Sequence, residues 1–282
     1  MKIKIIGSGG CTAIPRALCE CKICVEAREK GVPYARFGPS IYIEDINTLI
    51  DTPEDINTAL NYHDIKKIDN IFYSHWDPDH SLGIRLLEQL KLNWADVTLG
   101  IKNDNPINLY GRKNVLDDLF GIRSPRGSFL EYYQKVRNLV KVIEVEDEIK
   151  INNLNISFVN VHDTNVTVFV FEENGKKIVY APCDVKPFPD NEKLKNADIL
   201  IIGDSIPTFN IKDNFYIDEK NSFRKELLVM DEIIKIKSDY NIKKVIVTHL
   251  EEIWGLSYDD YLDEAKKYDN IEFAFDGMEI EI

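Results

Sequence analysis

The residues best suited to chemistry in this sequence stand in one short segment, SHWDPDH, at positions 74–80. Its imidazoles and carboxylates are His75, Asp77, Asp79 and His80. Both side-chain types bind divalent zinc, manganese or iron, and a tight turn can bring several of them to one or two cations. Pro78 restricts the backbone of that turn. The alternative is a polar turn that caps a helix beginning at Ser81.

The positions of the histidines favour a metal site over a helix cap. Four of the five histidines in the chain stand at the ends of apolar runs that are typical of strands: His75, His80, His162 and His249. Asp184, after the run KKIVYAP, has a similar position. Side chains at strand ends are held by a rigid sheet and exposed by the loops, which suits a functional site. His63 has no such context and is predicted to be an exposed surface residue.

Short β-branched segments recur along the chain and predict ten strands. They cover residues 3–7, 40–45, 47–52, 69–75, 155–162, 167–173, 176–182, 197–204, 243–249 and 271–277. Helical periodicity is present at 82–92, 222–238 and 257–268. This mixture favours an α+β fold of two sheets faced by helices over a doubly wound sheet, since GSGGC lacks the full dinucleotide-binding glycine pattern. Without a visible repeat or linker, residues 1–282 are expected to form a single domain.

The composition is that of a globular protein, with 44% hydrophobic residues to form a core. No apolar run reaches the roughly 18 residues of a membrane span, and the opening MKIKII is typical of a strand, so we expect a cytoplasmic protein without membrane contact. The formal charge of −13 argues against non-specific nucleic-acid binding. A small anionic substrate in a locally basic pocket remains compatible with it. The assembly is left open, with a homodimer as one alternative.

The segment HWDPDH resembles the H-x-H-x-D-H signature of the metallo-β-lactamase superfamily, and His162, Asp184 and His249 are similar in order to its later ligands. The resemblance extends from KIKIIGSGG to FAFDGMEI and implies a four-layer αββα sandwich. Within the superfamily, ALCECKICVEAREKG and FGPSIYIE are most similar to the phosphoribosyl cyclic phosphate phosphodiesterases of carbon–phosphorus lyase pathways. The resemblance thus implies a metal-dependent hydrolase that acts on a phosphodiester, such as a cyclic sugar phosphate or nucleotide. An iron-dependent oxidase or oxygenase on the same fold, or a non-catalytic metal-stabilised binding protein, is the alternative.

The same resemblance implies which residues bind two divalent cations. One cation would be held by His75, Asp77 and His162. The other would be held by Asp79, His80 and His249, with Asp184 bridging the two. A water shared by both cations would be the nucleophile, and Asp79 would accept its proton.

Asp77 stands where the superfamily usually has its second histidine, and this adds one negative charge. One unit of charge about 5 Å away is worth on the order of 3 kcal/mol at an effective dielectric of roughly 20, so attraction for a phosphate is weakened unless cations compensate. The candidates are Arg16, Arg36 and Arg85. A site richer in oxygen ligands also favours manganese or iron over zinc.

A second difference concerns the general acid that protonates the leaving group. The related phosphodiesterases have a histidine ahead of their last metal ligand, whereas this chain has none between Asp184 and His249. The segment 218–228 offers other polar side chains in its place: Asp218, Lys220, Asn221 and Ser222.

Three of the five cysteines lie within six residues, as Cys19, Cys21 and Cys24. Three thiolates at this spacing can bind one tetrahedral zinc ion, which needs a fourth ligand. The resemblance places that ligand at Glu252, and Cys11 is the other candidate. Three free thiols in a loop are the alternative. Cys183 stands apart, beside the Asp184 loop.

Overall fold

The computed structural model describes residues 1–125, 127–162 and 164–282. Its strands are β1 (Lys2–Gly7), β2 (Ser40–Ile43), β3 (Thr48–Ile50), β4 (Asn70–Phe72), β5 (Ile107–Gly111), β6 (Arg123–Ser124), β7 (Gly127–Ser128), β8 (Val140–Glu144), β9 (Glu148–Ile151), β10 (Leu154–Asn160), β11 (Thr167–Glu173), β12 (Lys176–Ala181), β13 (Ile199–Ile202), β14 (Ser205–Ile206), β15 (Leu228–Val229), β16 (Lys244–Val247), β17 (Ile271–Phe273) and β18 (Glu279–Glu281). Its α-helices are α1 (Lys22–Lys30), α2 (Ile56–Tyr62), α3 (Pro78–Ser81), α4 (Leu86–Lys91), α5 (Trp94–Thr98), α6 (Lys113–Gly121), α7 (Phe129–Glu131), α8 (Phe223–Glu226), α9 (Met230–Asp239) and α10 (Tyr258–Ala265). Short 3-10 turns are Glu44–Ile46, Leu82–Arg85, Glu192–Leu194, Lys212–Asn214 and Glu252–Trp254, and Tyr132–Val136 is a π turn.

Two seven-stranded mixed sheets form the centre of the described structure. The strand order is β18-β1-β2-β3-β4-β5-β8 in the first sheet and β17-β16-β13-β12-β11-β10-β9 in the second. Strands β3, β4, β5 and β8 run parallel to one another, as do β12, β13, β16 and β17. Because parallel neighbours need crossover connections, helices cover the outer face of each sheet.

Apolar side chains separate the layers. Phe72 of the first sheet and Phe169 of the second meet edge to face between the sheets, with ring centroids 6.0 Å apart. On the outer faces, Leu60 of α2 packs against the first sheet, and Ile233 of α9 and Tyr261 of α10 pack against the second. The order of layers is therefore helix, sheet, sheet, helix, and the predicted αββα sandwich is confirmed.

All ten predicted strands are present, but those leading to site residues end earlier than predicted. β4 ends three residues before His75, and β16 ends two residues before His249. The site residues thus lie in the loops that follow the strands. Apolar patterning did not predict the less regular β5, β8, β9 and β18 or the helices α1, α2, α5 and α6.

The predicted helix over 222–238 is wrong in its middle. The chain leaves α8 at Glu226, and β15 pairs in parallel with β14 before α9 begins. The Leu228 N–H donates to the Asp204 carbonyl at 3.0 Å, and the Glu232 carboxylate accepts from the Val229 N–H at 2.9 Å. The pairing with the distant strand β14 overrides the helical periodicity, and the Glu232 contact caps the start of α9. The helix predicted over 82–92 opens as a 3-10 turn and becomes α-helical only at Leu86. Across the described ranges, no helix is long and apolar enough to cross a membrane.

Candidate metal centre

The main site is built where parallel strands end. His75 follows β4 in the first sheet, and Asp184 and His249 follow β12 and β16 in the second. Parallel strands present their carboxyl ends at one edge of a sheet, so these loops meet. Asp184 and His249 have φ values of 49° and 58°. Such left-handed backbone costs about 1–3 kcal/mol for a non-glycine residue and is concentrated at functional sites.

Two neighbouring groups of potential metal ligands form there. The first group is Asp79, His80 and His249, and the second is His75, Asp77 and Asp184. Within each group, one nitrogen or oxygen atom of every side chain lies within 4.8 Å of the others. The rings of His75 and His80 are 4.1 Å apart between centroids, so the two groups adjoin. Six of the seven predicted ligands of the main site are thus brought together.

The electrostatics of the site fit bound cations. Burial and the adjacent Asp204 carboxylate raise the pKa of Asp184 to about 7. Burial alone would also raise the pKa of Asp79, but the imidazoles of His249 and His80 outweigh it and hold that pKa well below its usual range. Carboxylates crowded in this way repel one another, and divalent cations would relieve the repulsion.

Asp51 orients both histidines of the SHWDPDH segment. Its Oδ2 lies 2.8 Å from His80 Nδ1 and accepts from the Ser74 hydroxyl at 2.6 Å. Ser74 Oγ in turn lies 2.8 Å from His75 Nδ1. With both Nδ1 atoms engaged, each Nε2 is left for a metal, as in other carboxylate–histidine–metal arrangements. Asp51 is fully buried, and the signal that could have identified it is its position directly after the apolar run of β3.

Asp51→Asn is expected to weaken metal binding at the main site by about 10- to 100-fold, because it loses the charge that fixes the His80 ring. Competition with a chelator of known affinity measures this. The matched control is Asp45→Asn, which changes an exposed carboxylate. Equal metal affinity of the two variants would contradict the orienting role.

Asp204 is a second residue that the sequence analysis did not single out. Its Oδ2 accepts from the Asp184 N–H at 3.0 Å, and its Oδ1 lies 3.3 Å from His249 Nδ1. Gly203 before it allows the strand ends to approach, because a Cβ atom there would lie 1.6 Å from the Pro182 carbonyl oxygen. The signal was again a carboxylate close to the end of an apolar strand, two residues after β13.

Cys183 lies at the centre of the site. Its Sγ is 3.5 Å from His75 Nε2 and 3.2 Å from His80 Nε2. Its side chain is buried. A thiol that contacts the ring nitrogens left free for metal is chemically part of the candidate centre.

The structure does not bring His162 to these groups. It is exposed in the turn between β10 and β11, where the Val161 N–H donates to the Val166 carbonyl at 2.8 Å. There it borders a surface depression with Phe188 and Asp190. Thr164, two residues later, donates to the Asp184 carbonyl at 2.7 Å, but the His162 side chain is not part of either ligand group. His63 also differs from expectation, since it is half-buried with Nε2 3.0 Å from the Ile6 carbonyl oxygen.

A cavity of about 360 Å³ opens onto the two groups. Its lining includes several acidic side chains and four apolar ones, Phe223, Leu227, Ile253 and Trp254. Of the three candidate arginines, Arg16 lines this cavity. Arg36 is buried and donates to Ser8 and to the Ala274 carbonyl, while Arg85 pairs with Glu88 at 3.1 Å on the surface. Arg16 is therefore the cation available to an anionic substrate among the described lining residues.

The cysteine cluster is assembled as predicted with Glu252. Its Oε1 lies 3.3 Å from Cys19 Sγ, 2.9 Å from Cys21 Sγ and 3.9 Å from Cys24 Sγ. Lys212 and Arg16 also approach the Glu252 carboxylate. Three sulfurs and one carboxylate within reach of one point are a suitable tetrahedral zinc set. Cys11 does not join this group and lies on the cavity wall.

Comparisons with known proteins agree with this architecture. Residues 46–250 match the model of the beta-lactamase superfamily domain. A ribonuclease Z from Archaeoglobus fulgidus is 23% identical over 265 residues, covering 77% of this chain and 81% of that protein. Among solved structures, a diphosphatase from the PhnP family has a TM-score of 0.72 at 21% identity, covering 99% of this chain and 96% of that one. Zinc-bound PqqB from Methylobacterium extorquens has a TM-score of 0.75 at 18% identity, and all of both chains is covered.

The structural likenesses show a shared fold, and the family model spans both ligand groups from before β3 to just beyond His249. This match includes well over half of the 282 residues. The chain belongs to the metallo-β-lactamase superfamily.

Proposed function

We propose that this protein is a binuclear metal-dependent hydrolase that cleaves a small phosphodiester. The observation that carries the proposal is the pair of adjoining ligand groups, Asp79, His80 and His249 beside His75, Asp77 and Asp184. Two cations bound there would acidify a shared water and stabilise the charge that develops on the phosphoryl oxygens. The names of two similar proteins, a ribonuclease and a diphosphatase, also describe cleavage of bonds to phosphorus.

The protein side chains supply orientation and proton transfer in this proposal. Asp51 and Ser74 fix the imidazoles of His80 and His75. The contacts of Asp79 with His80 and His249 both use Oδ2, which leaves Oδ1 to accept the proton of the attacking water. Arg16 at the rim of the cavity would bind a phosphate oxygen.

The cavity favours a small substrate with an apolar or flat group. Its volume of about 360 Å³ lies in the range of small-molecule sites. Phe223 and Trp254 line the same cavity as the carboxylates and offer aromatic surface on which a base or aryl group would pack. The formal charge of −13 disfavours a long polyanion. A cyclic or aryl-substituted phosphodiester satisfies these features better than a nucleic acid.

The leaving group should be weakly basic. None of the four polar side chains considered for the general acid (Asp218, Lys220, Asn221, Ser222) is among the described residues that line the cavity. General acid catalysis is typically worth about 10²- to 10⁴-fold. Aryl phosphodiesters are therefore expected to react about 10²-fold or more faster than alkyl ones.

The test is a panel of small phosphates assayed with protein loaded separately with zinc, manganese and iron. It should contain bis(p-nitrophenyl) phosphate, a 2′,3′-cyclic nucleotide, a dialkyl phosphodiester and a diphosphate ester. Turnover of the first two, lost in Asp79→Asn, is the expected result. Iron-dependent consumption of dioxygen without phosphodiester cleavage would replace this proposal by an oxygenase. Absence of turnover with all three metals would indicate a binding protein.

A further inference from the structure

We propose that Cys183 is a thiolate ligand of the metal pair and fills the coordination position that the superfamily resemblance gives to His162. The inference depends on the metal centre of the proposed function but not on the identity of the substrate. On metal binding, the S–H bond would be replaced by a sulfur–metal bond and the proton released to solvent.

The first argument is the convergence of donor atoms. Cys183 Sγ lies 3.5 Å from His75 Nε2 and 3.2 Å from His80 Nε2, while both Nδ1 atoms are held on the opposite side by Ser74 and Asp51. The three donors therefore point to one place, and they form a group that can hold a cation. Cys183, His75 and His80 are 3%, 4% and 0% exposed, so all three side chains are buried.

The second argument is that the backbone fixes the thiol in this position. On one side, the close approach of Gly203 to the Pro182 carbonyl holds the residue before Cys183. On the other side, the Asp184 N–H donates to Asp204, and the Asp184 φ of 49° turns the chain. Cys183 and Asp184 thus both face the same centre. Together with Asp204 they form a further set of potential metal ligands.

The third argument is the nature of the surroundings. A buried structural cysteine usually packs as a small hydrophobic residue. Among the described residues, the apolar clusters do not include Cys183, although they include its neighbours Ala181 and Val185. Its contacts are instead imidazole nitrogens. With His162 exposed and Asp77 in place of a histidine, the second ligand group needs another donor, and Cys183 is next to it.

A thiolate changes what the centre can bind. It favours zinc over manganese, which opposes the preference expected from Asp77 alone. It also adds a fourth negative charge to those of Asp77, Asp79 and Asp184, so two divalent cations would be neutralised before any hydroxide is counted. Such a centre suits a phosphodiester with one negative charge better than a phosphomonoester or a diphosphate.

Cobalt substitution tests the inference without an activity assay, because cobalt(II)–thiolate bonds give a near-ultraviolet charge-transfer band. The cysteine cluster would give such a band too, so two complementary variants distinguish the two sources. Cys21→Ser disrupts the cluster and should keep a thiolate band that appears as the main site fills. Cys183→Ser should keep the band of the cluster and lose the band of the main site. Its zinc affinity at the main site should fall more than about tenfold, since even an outer partner of a ligand is worth 10- to 100-fold.

Either variant alone decides the matter, so a folding failure of one does not end the test. A main site in Cys21→Ser that fills with cobalt without a thiolate band would overturn the inference, as would wild-type and Cys183→Ser spectra that are identical at equal cobalt content. If the bands behave as expected but no phosphodiester is cleaved, Cys183 remains a ligand and the proposed function fails. If His80→Ala and Cys183→Ser both still bound cobalt at the main site, the result would contradict the inference and the proposed function together.

Discussion

Replacing His80 and Asp184 together by alanine is expected to remove most of the metal from the main site and to lower kcat/KM for a phosphodiester by about 10³-fold or more. His80 belongs to one ligand group and Asp184 to the other, so the double variant damages both. Loss of bound cations removes several kcal/mol of transition-state stabilisation, and each 1.36 kcal/mol is about tenfold in rate. Elemental analysis of the purified variant, together with steady-state kinetics, measures both effects.

The matched control for this variant is His162→Ala with Asp190→Ala. It also removes one imidazole and one carboxylate, but both side chains are exposed at the surface depression beside β10. We expect it to keep its metal and its activity. Metal loss in the control, with metal retained in the His80 and Asp184 variant, would contradict the ligand groups that the structure brings together.

Cys21→Ser is expected to lower the zinc content by one ion per chain and to reduce Tm by on the order of 10 °C. A structural zinc contributes its binding energy to folding, and loss of several kcal/mol has an effect of this size in a domain of this length. The cluster joins residues 231 positions apart, Cys21 and Glu252, which would separate without the ion. Atomic absorption and thermal unfolding are the measurements.

Cys11→Ser serves as the control for this prediction, because Cys11 is a free thiol outside the cluster. It should leave the zinc count and Tm unchanged. The interpretation as a zinc site would be wrong if Cys21→Ser and Cys11→Ser had the same zinc content and the same Tm as the unsubstituted protein.

The main features of the fold follow from local patterns in the sequence. Alternating and β-branched runs predicted ten strands, and the excess of strands over helices indicated two sheets faced by helices. The pattern failed where distant contacts decide the structure. Leu228 has the spacing of a helical residue but pairs with Ser205, which lies more than twenty positions earlier in the chain. No local signal in residues 222–238 contains that information.

The candidate site was predictable to the extent that side-chain type and strand ends determine it. His75 and His249 were identified because imidazoles at the ends of apolar runs are unusual, and Asp79 because it stands in the short SHWDPDH turn with other potential ligands. His162 satisfies the same rule, but its side chain is exposed and lies outside the ligand groups, so its contact with a metal stays a prediction. Asp204 also satisfied the rule and was not considered. The role of Cys183 depends on three-dimensional proximity to two histidines more than one hundred residues earlier in sequence.

Both candidate ion sites join segments that are far apart in the chain. Asp79 and His249 are separated by 170 residues, and the cysteines of the cluster meet Glu252 near the carboxyl end. Each bound ion would therefore act as a reversible cross-link, and metal concentration would become a determinant of how much protein is folded. When the free metal concentration is 100 times the dissociation constant of a site, binding adds about 2.7 kcal/mol to the free energy of unfolding by mass action. During metal shortage, the number of intact molecules would fall through unfolding and degradation, in addition to the loss of occupied active sites.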